Sequence, residues 1–294
     1  ALVVLGSVSV GARAAAHLRT LHGALAGPLR GTCVRSLARL APTDPLLVAS
    51  LADTHPAVLS AALAALRDEP RKAPRAEVLA VLADPSRGAD VLAELVAYLT
   101  VPGQSIDEDS AATLLRFAAR ADLKPEARLA VLEGIPRLGV SLSPKLKREF
   151  EPLTAASDAA IKDAALVALT LLKDSRARRE LLKVYDDQVK DNEGWPLAYS
   201  RRGEMYLRIH EYGPAAKDFV RALELQEESA RMPANRELWI DLARAYVLDD
   251  KLAKAADVLQ DPDFDLSSEV RRELLADPDF KPLVESTKYR KLFE

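Results

Sequence analysis

Cysteine, aromatic residues and long apolar runs are all scarce in this chain of 294 residues. Its single cysteine excludes a disulfide framework. No apolar run reaches the roughly 18 residues that a membrane-spanning helix needs, so the sequence predicts no membrane span. Glycine (12) and proline (18) are too few for a fibrous or low-complexity chain. A net charge of only −3, with 49% hydrophobic residues, excludes disorder over most of the length.

Alanine and leucine supply most of the apolar content, whereas runs of β-branched residues are few. Alanine and leucine favour helices, and strands favour valine, isoleucine and aromatic residues. No stretch alternates strictly between apolar and polar residues with hairpin turns at its ends. The sequence therefore predicts an all-α fold.

A helix–turn–helix pattern is repeated over positions 1–190. An apolar stretch ends at Asp53, Pro56 follows in a short turn, and a second stretch has apolar residues at 58, 59, 62, 63 and 66, which is one face of a helix. The plan recurs at 153–169 and more loosely at 122–132, and positions 7–18 resemble the second helix of an earlier unit. These segments resemble HEAT-like repeats, a resemblance that implies stacked hairpins of about 40 residues, because one hairpin cannot bury its own apolar stripe.

A second type of repeat follows, over about 192–260. Its first copy has aromatic and small residues at a spacing that resembles a tetratricopeptide repeat: Tyr199, Gly203, Tyr206, Ala215, Phe219 and Ala222. The resemblance implies that Gly203 allows close helix approach. Arg202 departs from the leucine usual in that family.

The second copy is in phase with the first. Trp239, Ala243, Tyr246, Ala255 and Leu259 occupy the positions of Tyr199, Gly203, Tyr206, Ala215 and Phe219. The offset from 199 to 239 is longer than the family period of about 34 residues. We therefore expect the extra residues to lengthen the second helix of the first copy through 224–229.

The tail contains the same motif twice, Asp-Pro-Asp-Phe at 261–264 and at 277–280. Aspartate followed by proline is typical of a helix N-cap and first turn. We expect Phe264 and Phe280 to pack back over the last repeat. The predicted architecture is thus a right-handed α-solenoid with HEAT-like repeats at 1–190, two tetratricopeptide units at 191–260 and a helical capping tail at 261–294.

Residues typical of catalysis or metal binding are not grouped in this sequence. The four histidines are dispersed (His17, His22, His55 and His210), and Cys33 has no histidine positioned beside it. No phosphate loop, dinucleotide fingerprint or nucleophile elbow is present. The sequence predicts no catalytic residue, no metal site and no cofactor, with Cys33 buried in a helix.

The charge is unevenly distributed. Positions 1–150 carry a net charge of +3 and positions 151–294 a net charge of −6. Positions 1–40 contain no acidic residue and five arginines: Arg13, Arg19, Arg30, Arg35 and Arg39. A nucleic-acid-binding module would need these arginines to converge with those at 67–75 on one face. The chain as a whole is not basic, which argues against nucleic acid as the partner.

The tetratricopeptide resemblance implies a groove lined by the first helix of each copy. The repeat phase also places Val247 among the groove-facing positions of the second copy. We predict four groove residues as candidate partner-binding residues: Arg201, Glu204, Arg208 and Arg244. The arginines could bind carboxylates of a protein or peptide partner. The alternative is local pairing of Glu204 with Arg208, which are spaced i, i+4 on a helix.

We interpret the chain as a non-catalytic protein–protein interaction scaffold or regulatory module. Its alanine-rich helices and its use of arginine over lysine indicate a bacterium with a GC-rich genome as the source. The chain opens at Ala1 without methionine in an apolar helical pattern, which we read as a fragment of a longer protein rather than the remnant of a signal peptide. Two alternatives stay open: the docking arm of an enzyme whose catalytic domain lies upstream and could itself be the partner, and a nucleic-acid-binding HEAT-like module. One cysteine fits cytoplasm and periplasm, the cytoplasm being slightly favoured.

Overall fold

The computed structural model describes residues 8–67, 76–101, 105–229 and 236–293. Within these ranges 18 α-helices pack against their neighbours, 77% of the residues are helical and no strand is present. The all-α prediction is therefore confirmed. The chain divides into two compact units, 1–174 and 175–294.

Eleven of these helices belong to the first unit. They are α1 (Val8–Ala24), α2 (Gly27–Leu40), α3 (Pro45–Ala49), α4 (Pro56–Arg67), α5 (Ala76–Ala83), α6 (Pro85–Asp90), α7 (Leu92–Leu99), α8 (Glu108–Ala119), α9 (Pro125–Gly134), α10 (Pro144–Thr154) and α11 (Ala159–Leu171). Short 3-10 helices occupy Ser50–Ala52 and Ile135–Arg137.

The other seven of these helices belong to the second unit. They are α12 (Ser175–Asp191), α13 (Pro196–Arg208), α14 (Tyr212–Ser229), α15 (Arg236–Leu248), α16 (Leu252–Leu259), α17 (Ser268–Ala276) and α18 (Lys281–Val284). Further 3-10 turns lie at Pro278–Phe280 and Arg290–Leu292.

Aspartate caps and first-turn prolines begin several of these helices. The Asp158 carboxylate accepts hydrogen bonds from the backbone N–H groups of Ala160 (3.0 Å) and Ile161 (3.3 Å), which otherwise have no partner in the first turn of α11. Pro56 and Pro125 each occupy the first position of a helix, where the missing N–H costs nothing. Helices thus begin at Pro56, Pro125 and Ala159, within the segments where the sequence predicts a turn followed by a helix.

In the first unit, five helices form a series in which each contacts the next: α2, α4, α7, α9 and α11. The last four begin at Pro56, Leu92, Pro125 and Ala159, so their starts recur at an interval of about 34 residues, shorter than the about 40 predicted for a hairpin. The predicted interval is therefore too long. These four helices are only 8–13 residues long and their connections are short, which brings each apolar face onto the next after fewer residues.

In both units, polar side-chain contacts join residues that lie about one such interval apart in the sequence. In the first unit, Ser60 donates to Glu94 (34 residues apart) and Arg120 donates to the Pro85 carbonyl (35 apart). In the second, Arg178 pairs with Glu211 (33 apart). Other side-chain contacts lie 33–37 residues apart: Arg87 with the Asp53 carbonyl, Arg116 with Glu149, Lys145 with Asp109, Arg236 with Glu273 and Arg244 with Asp277. Each hairpin thus contacts an equivalent position of its neighbour.

Cys33 lies in the core of the first unit. Its side chain is fully buried, and the thiol donates a hydrogen bond to the Leu18 carbonyl (3.1 Å). Burial raises the pKa of the Cys33 thiol. Nearby, Gly31 allows α2 and α4 to meet, because a Cβ there would lie 2.4 Å from the Ala57 carbonyl oxygen. The prediction of a buried structural cysteine is confirmed.

The two sequence copies in the second unit have equivalent backbone turns. Helices α13 and α15 are followed by His210 (φ 60°) and Asp250 (φ 57°), which occupy the same position in the two copies. Left-handed residues of this kind commonly terminate helices. The next N–H in each copy donates to a tyrosine carbonyl, from Glu211 to Tyr206 and from Lys251 to Tyr246, both at 2.8 Å. The phase assigned from the sequence therefore matches the backbone.

Helix α14 is longer than α16, its counterpart in the second copy, as the sequence predicts. It continues to Ser229, whereas α16 ends at Leu259 after 8 residues. The longer helix accounts for the long offset between the copies. Between α13 and α14, Gly203 faces the buried Phe219 ring, and a Cβ on Gly203 would lie 2.7–3.0 Å from three ring atoms. Glycine is needed there because the ring fills the space.

The tail packs against the second copy. Phe264 and Phe280 are both buried in the core of the second unit, and the Phe264 ring lies 6.1 Å from that of Trp239. Their predicted packing is confirmed. Asp277 caps the 3-10 turn at Pro278–Phe280, as expected. At the first motif the expected helix start is wrong: Asp261 accepts a hydrogen bond from Asp263 N–H in a turn instead, and Phe264 at the end of that turn packs against Trp239.

Candidate functional site

Arg244 lines a cavity between α15 and α17, and Glu204 on α13 lies close enough to Asp241 and Glu237 of α15 to feel their charges; we call the face formed by these three helices the second-unit groove. Arg208 is not among the residues that line the cavity. The cavity has a volume of about 320 Å³ and forms the floor of the groove. The cavity is lined by Arg236, Glu237, Ile240, Asp241, Arg244, Glu273, Leu274 and Asp277. Six of these eight side chains are charged, so the cavity is suited to a charged group.

Arg244 is held by the protein's own carboxylates. It pairs with Asp241 one turn earlier on α15 and donates to Asp277 at the end of α17 (3.1 Å), with Asp279 at 3.6 Å. Its guanidinium also lies 5.8 Å from the centroid of the Phe280 ring. The donors of Arg244 are thus occupied by neighbouring groups and fix α15 to the tail.

The two arginines predicted on α13 have different surroundings. Arg201 is exposed and lies over the ring of Trp195, 5.8 Å from its centroid. Arg208 is also exposed, and it makes no ion pair with the described part of the chain. Trp195 and Leu197 are 40% exposed at the start of α13. The first turns of this helix therefore offer an apolar and cationic surface.

Glu204 faces the acidic side of the groove. Partial desolvation raises the pKa of Glu204, and the carboxylates of Asp241 and Glu237 raise it further although Arg201 opposes them. Burial likewise raises the pKa of Asp241, against the effect of Arg244. Among the described residues, no ion pair joins Glu204 to Arg208, so the local pairing considered from the sequence is not formed.

Two groove residues were missed by sequence reasoning, Glu273 on α17 and Asp277 at its end. The sequence placed them in a capping tail, yet Glu273 accepts two hydrogen bonds from Arg236, at 3.0 and 3.2 Å. Val247, which the repeat phase placed in the groove, is buried in the core instead. The signal that could have revealed Glu273 and Asp277 is their distance of one repeat from Arg236 and Arg244.

Arg202, the residue that departs from the tetratricopeptide pattern, lies between three helices. It donates to Asp218 of α14 from two nitrogens (2.7 and 2.9 Å) and to Asp186 of α12 (3.0 Å). The rings of Tyr199 and Tyr206 flank its guanidinium, with centroids at 5.9 and 6.0 Å. Arg202 therefore joins α12, α13 and α14.

The basic stretch in the first unit is partly neutralised. Arg19 pairs with Asp44 (2.6 Å) and Arg30 pairs with Asp53 (2.5 Å). The arginines at 71 and 75, with which a nucleic-acid-binding module would need the stretch to converge, lie outside the described residues. Two of the five arginines are thus committed to internal ion pairs.

The histidines remain dispersed in the fold. His210 is exposed, and His22 is half-buried in the last turn of α1, where burial and Arg30 lower its pKa. Across the described ranges, no group of three or more His, Cys, Asp or Glu residues is arranged to hold a metal ion. None of the helices described there combines the length and the apolar character needed to cross a membrane.

Comparisons of the chain with protein-family models, with curated proteins and with solved structures return no match.

Proposed function

We propose that this chain is a non-catalytic protein–protein interaction module whose second-unit groove binds a peptide segment of a partner. The repeat types assigned from the sequence, HEAT-like and then tetratricopeptide, and a right-handed solenoid are part of the proposal. The observation that carries it is the 320 Å³ cavity on the face of α15 where the repeat phase predicts a groove. Its size is near the lower end of binding pockets, about 300–1,000 Å³, which suits one or two side chains.

Three further features support the groove as a binding surface. Trp195 and Leu197 are exposed at its α13 edge, and exposed aromatic residues are common anchors in protein interfaces. The groove is made by helices rather than loops, which limits the conformational cost of binding. Arg244 bonds α15 to Asp277, so the cavity wall is held in place before any partner arrives.

The test is selection from a displayed library of random dodecapeptides on the whole chain. Ile240→Trp fills the cavity without changing charge, and peptides that also bind this variant are removed. We expect a set of peptides whose affinity falls at least tenfold in Ile240→Trp. Val184→Trp is the matched control, because Val184 is 59% exposed on α12, away from the groove.

Circular dichroism and thermal unfolding of both variants establish that they are folded. If every peptide that binds the wild-type chain binds Ile240→Trp equally well, the groove is not the binding site and the proposal is wrong.

A further inference from the structure

The charged residues that line the cavity indicate which sign of charge a partner side chain must carry to bind there. Among the described residues that line it, four side chains are carboxylates and two are guanidinium groups, giving a net charge of −2. The carboxylates belong to Glu237, Asp241, Glu273 and Asp277. An excess of one sign in a cavity with protein walls attracts the opposite sign more strongly than it would on an open surface.

Both arginines of the cavity are already paired with carboxylates. Arg236 bonds both oxygens of Glu273, and Arg244 bonds Asp241 and Asp277. A carboxylate of a partner would have to displace one of these internal pairs and would meet the remaining negative charge. The sequence-based expectation that Arg244 binds partner carboxylates therefore has little support from its surroundings.

The carboxylate oxygens of the groove, by contrast, can accept further hydrogen bonds. An ionised carboxylate accepts about four hydrogen bonds, so a single guanidinium does not satisfy it. Glu204 makes no ion pair with any described residue and faces the same acidic neighbours. Glu204, Arg201 and Arg208 all lie on α13, outside the lining of the cavity. The sign of the cavity is therefore set by α15 and α17, whose described lining residues carry an excess of negative charge.

Resting on the proposed function, we infer that the second-unit groove recognises a cationic peptide segment, with a lysine or arginine side chain of the partner entering the cavity between α15 and α17. The carboxylates of Glu237 and Asp241 line the cavity that the incoming charge enters, and Glu204 on α13 lies near both of them. Ile240 and Leu274 line the same cavity and provide aliphatic contacts. Long cationic side chains bury their methylene stems against such surfaces while the charged end meets polar groups.

The experiment uses the dodecapeptides that are lost in Ile240→Trp. We expect them to be enriched in lysine and arginine. The most enriched peptide is synthesised with a fluorescein label, once as selected and once with its lysine and arginine residues replaced by glutamine. Binding to the whole chain is followed by fluorescence anisotropy at two salt concentrations, and the substituted peptide is expected to bind at least tenfold more weakly.

Charge variants of the protein complete the test. Glu204→Gln with Asp241→Asn is expected to weaken the basic peptide about tenfold and to reduce its salt dependence. The control, Asp187→Asn with Asp191→Asn, removes the same charge from the exposed side of α12 and should change affinity less than twofold. Peptides that are neutral or acidic yet sensitive to Ile240→Trp would overturn the inference and leave the proposed function standing. An absence of any sensitive peptide would overturn both.

Discussion

Arg202 and Asp218 form a bidentate ion pair across the α13–α14 hairpin. Arg202 Nε donates to Asp218 Oδ2 at 2.7 Å, and Arg202 Nη2 donates to Asp218 Oδ1 at 2.9 Å. Asp218 is 6% exposed, so its charge depends on Arg202 for compensation. The arginine that breaks the repeat pattern is thus matched by a buried acid on the following helix.

Replacing Arg202 by leucine, the residue usual at this repeat position, should destabilise the second unit. The change leaves Asp218 buried without a partner, and removal of one member of a buried pair costs about 3–5 kcal/mol; we expect about 2–3 kcal/mol because Arg202 is one-fifth exposed. Both tryptophans lie in the second unit, so fluorescence during urea unfolding reports the change.

The double variant Arg202→Leu with Asp218→Leu should recover most of that free energy of unfolding. Lys281→Ala is the control, since Lys281 and Glu285 form an exposed pair at 3.7 Å that should contribute less than about 0.5 kcal/mol. Equal losses in Arg202→Leu and in the double variant would contradict this account.

Gly203→Ala should destabilise the first tetratricopeptide-like copy by about 1–3 kcal/mol, because its Cβ would collide with Phe219. The second copy has Ala243 and Leu259 at these two positions. Adding Phe219→Leu to Gly203→Ala should therefore recover part of the loss, measured by the same urea titration. Gly194→Ala is the control, since a Cβ there meets nothing within 4 Å. If Phe219→Leu does not restore part of the free energy of unfolding lost in Gly203→Ala, the two copies pack differently at these positions.

Phe280→Ala should lower the free energy of unfolding of the second unit by about 3–5 kcal/mol, because the side chain is fully buried in its core. Loss of the ring also removes the surface on which Arg244 lies. Leu275→Ala, at a position 50% exposed on α17, should cost less than about 0.5 kcal/mol. Thermal unfolding of the two variants side by side distinguishes a core residue from a loosely attached tail.

The Cys33 thiol should not react with a disulfide reagent in the native protein. It is buried and donates to the Leu18 carbonyl, and its pKa is raised, so little thiolate is exposed. Full reaction of one thiol per chain is expected in guanidinium chloride, measured by absorbance of the released thiolate. Rapid reaction without denaturant would show that the first unit opens readily around α2.

Peptide affinity in the groove should fall as the pH is lowered from neutral toward the usual glutamate pKa of 4.5. Glu204 and Asp241 have raised pKa values, so they take up protons before ordinary carboxyls and lose the charge that attracts a cationic peptide. Glu237, Arg201 and Arg244 also face this region. The Glu204→Gln, Asp241→Asn variant should show a flatter pH dependence by anisotropy.

Protein stability should respond to these two carboxyls in the opposite direction. Groups whose pKa is raised on folding bind protons more tightly in the folded state, so their contribution to the free energy of unfolding rises as the pH falls through that range. Loss of binding without loss of the folded state would therefore be expected. A parallel loss of both would show that unfolding causes the weakened affinity.

The sequence alone determined the helical class, the turn-and-helix segments around Pro56, Pro125 and Ala159, and the phase of the two later copies. These features depend on local properties: apolar periodicity, capping aspartates and first-turn prolines act within a few residues. The burial of Cys33, Phe264 and Phe280 also followed from local pattern, because each lies on an apolar face or beside a turn.

Tertiary structure alone decided which charges meet. Arg244 faces Asp277 and Asp279, and Arg202 faces Asp218, through packing that no local pattern specifies. The same packing removed Val247 from the groove and brought Glu273 into it. Side chains distant in sequence are joined by the angle and interval of stacked helices, which the whole core fixes. The sequence contains every residue that sets the sign of the groove's charge. It does not show which of those residues meet, so the sign could not be predicted from it.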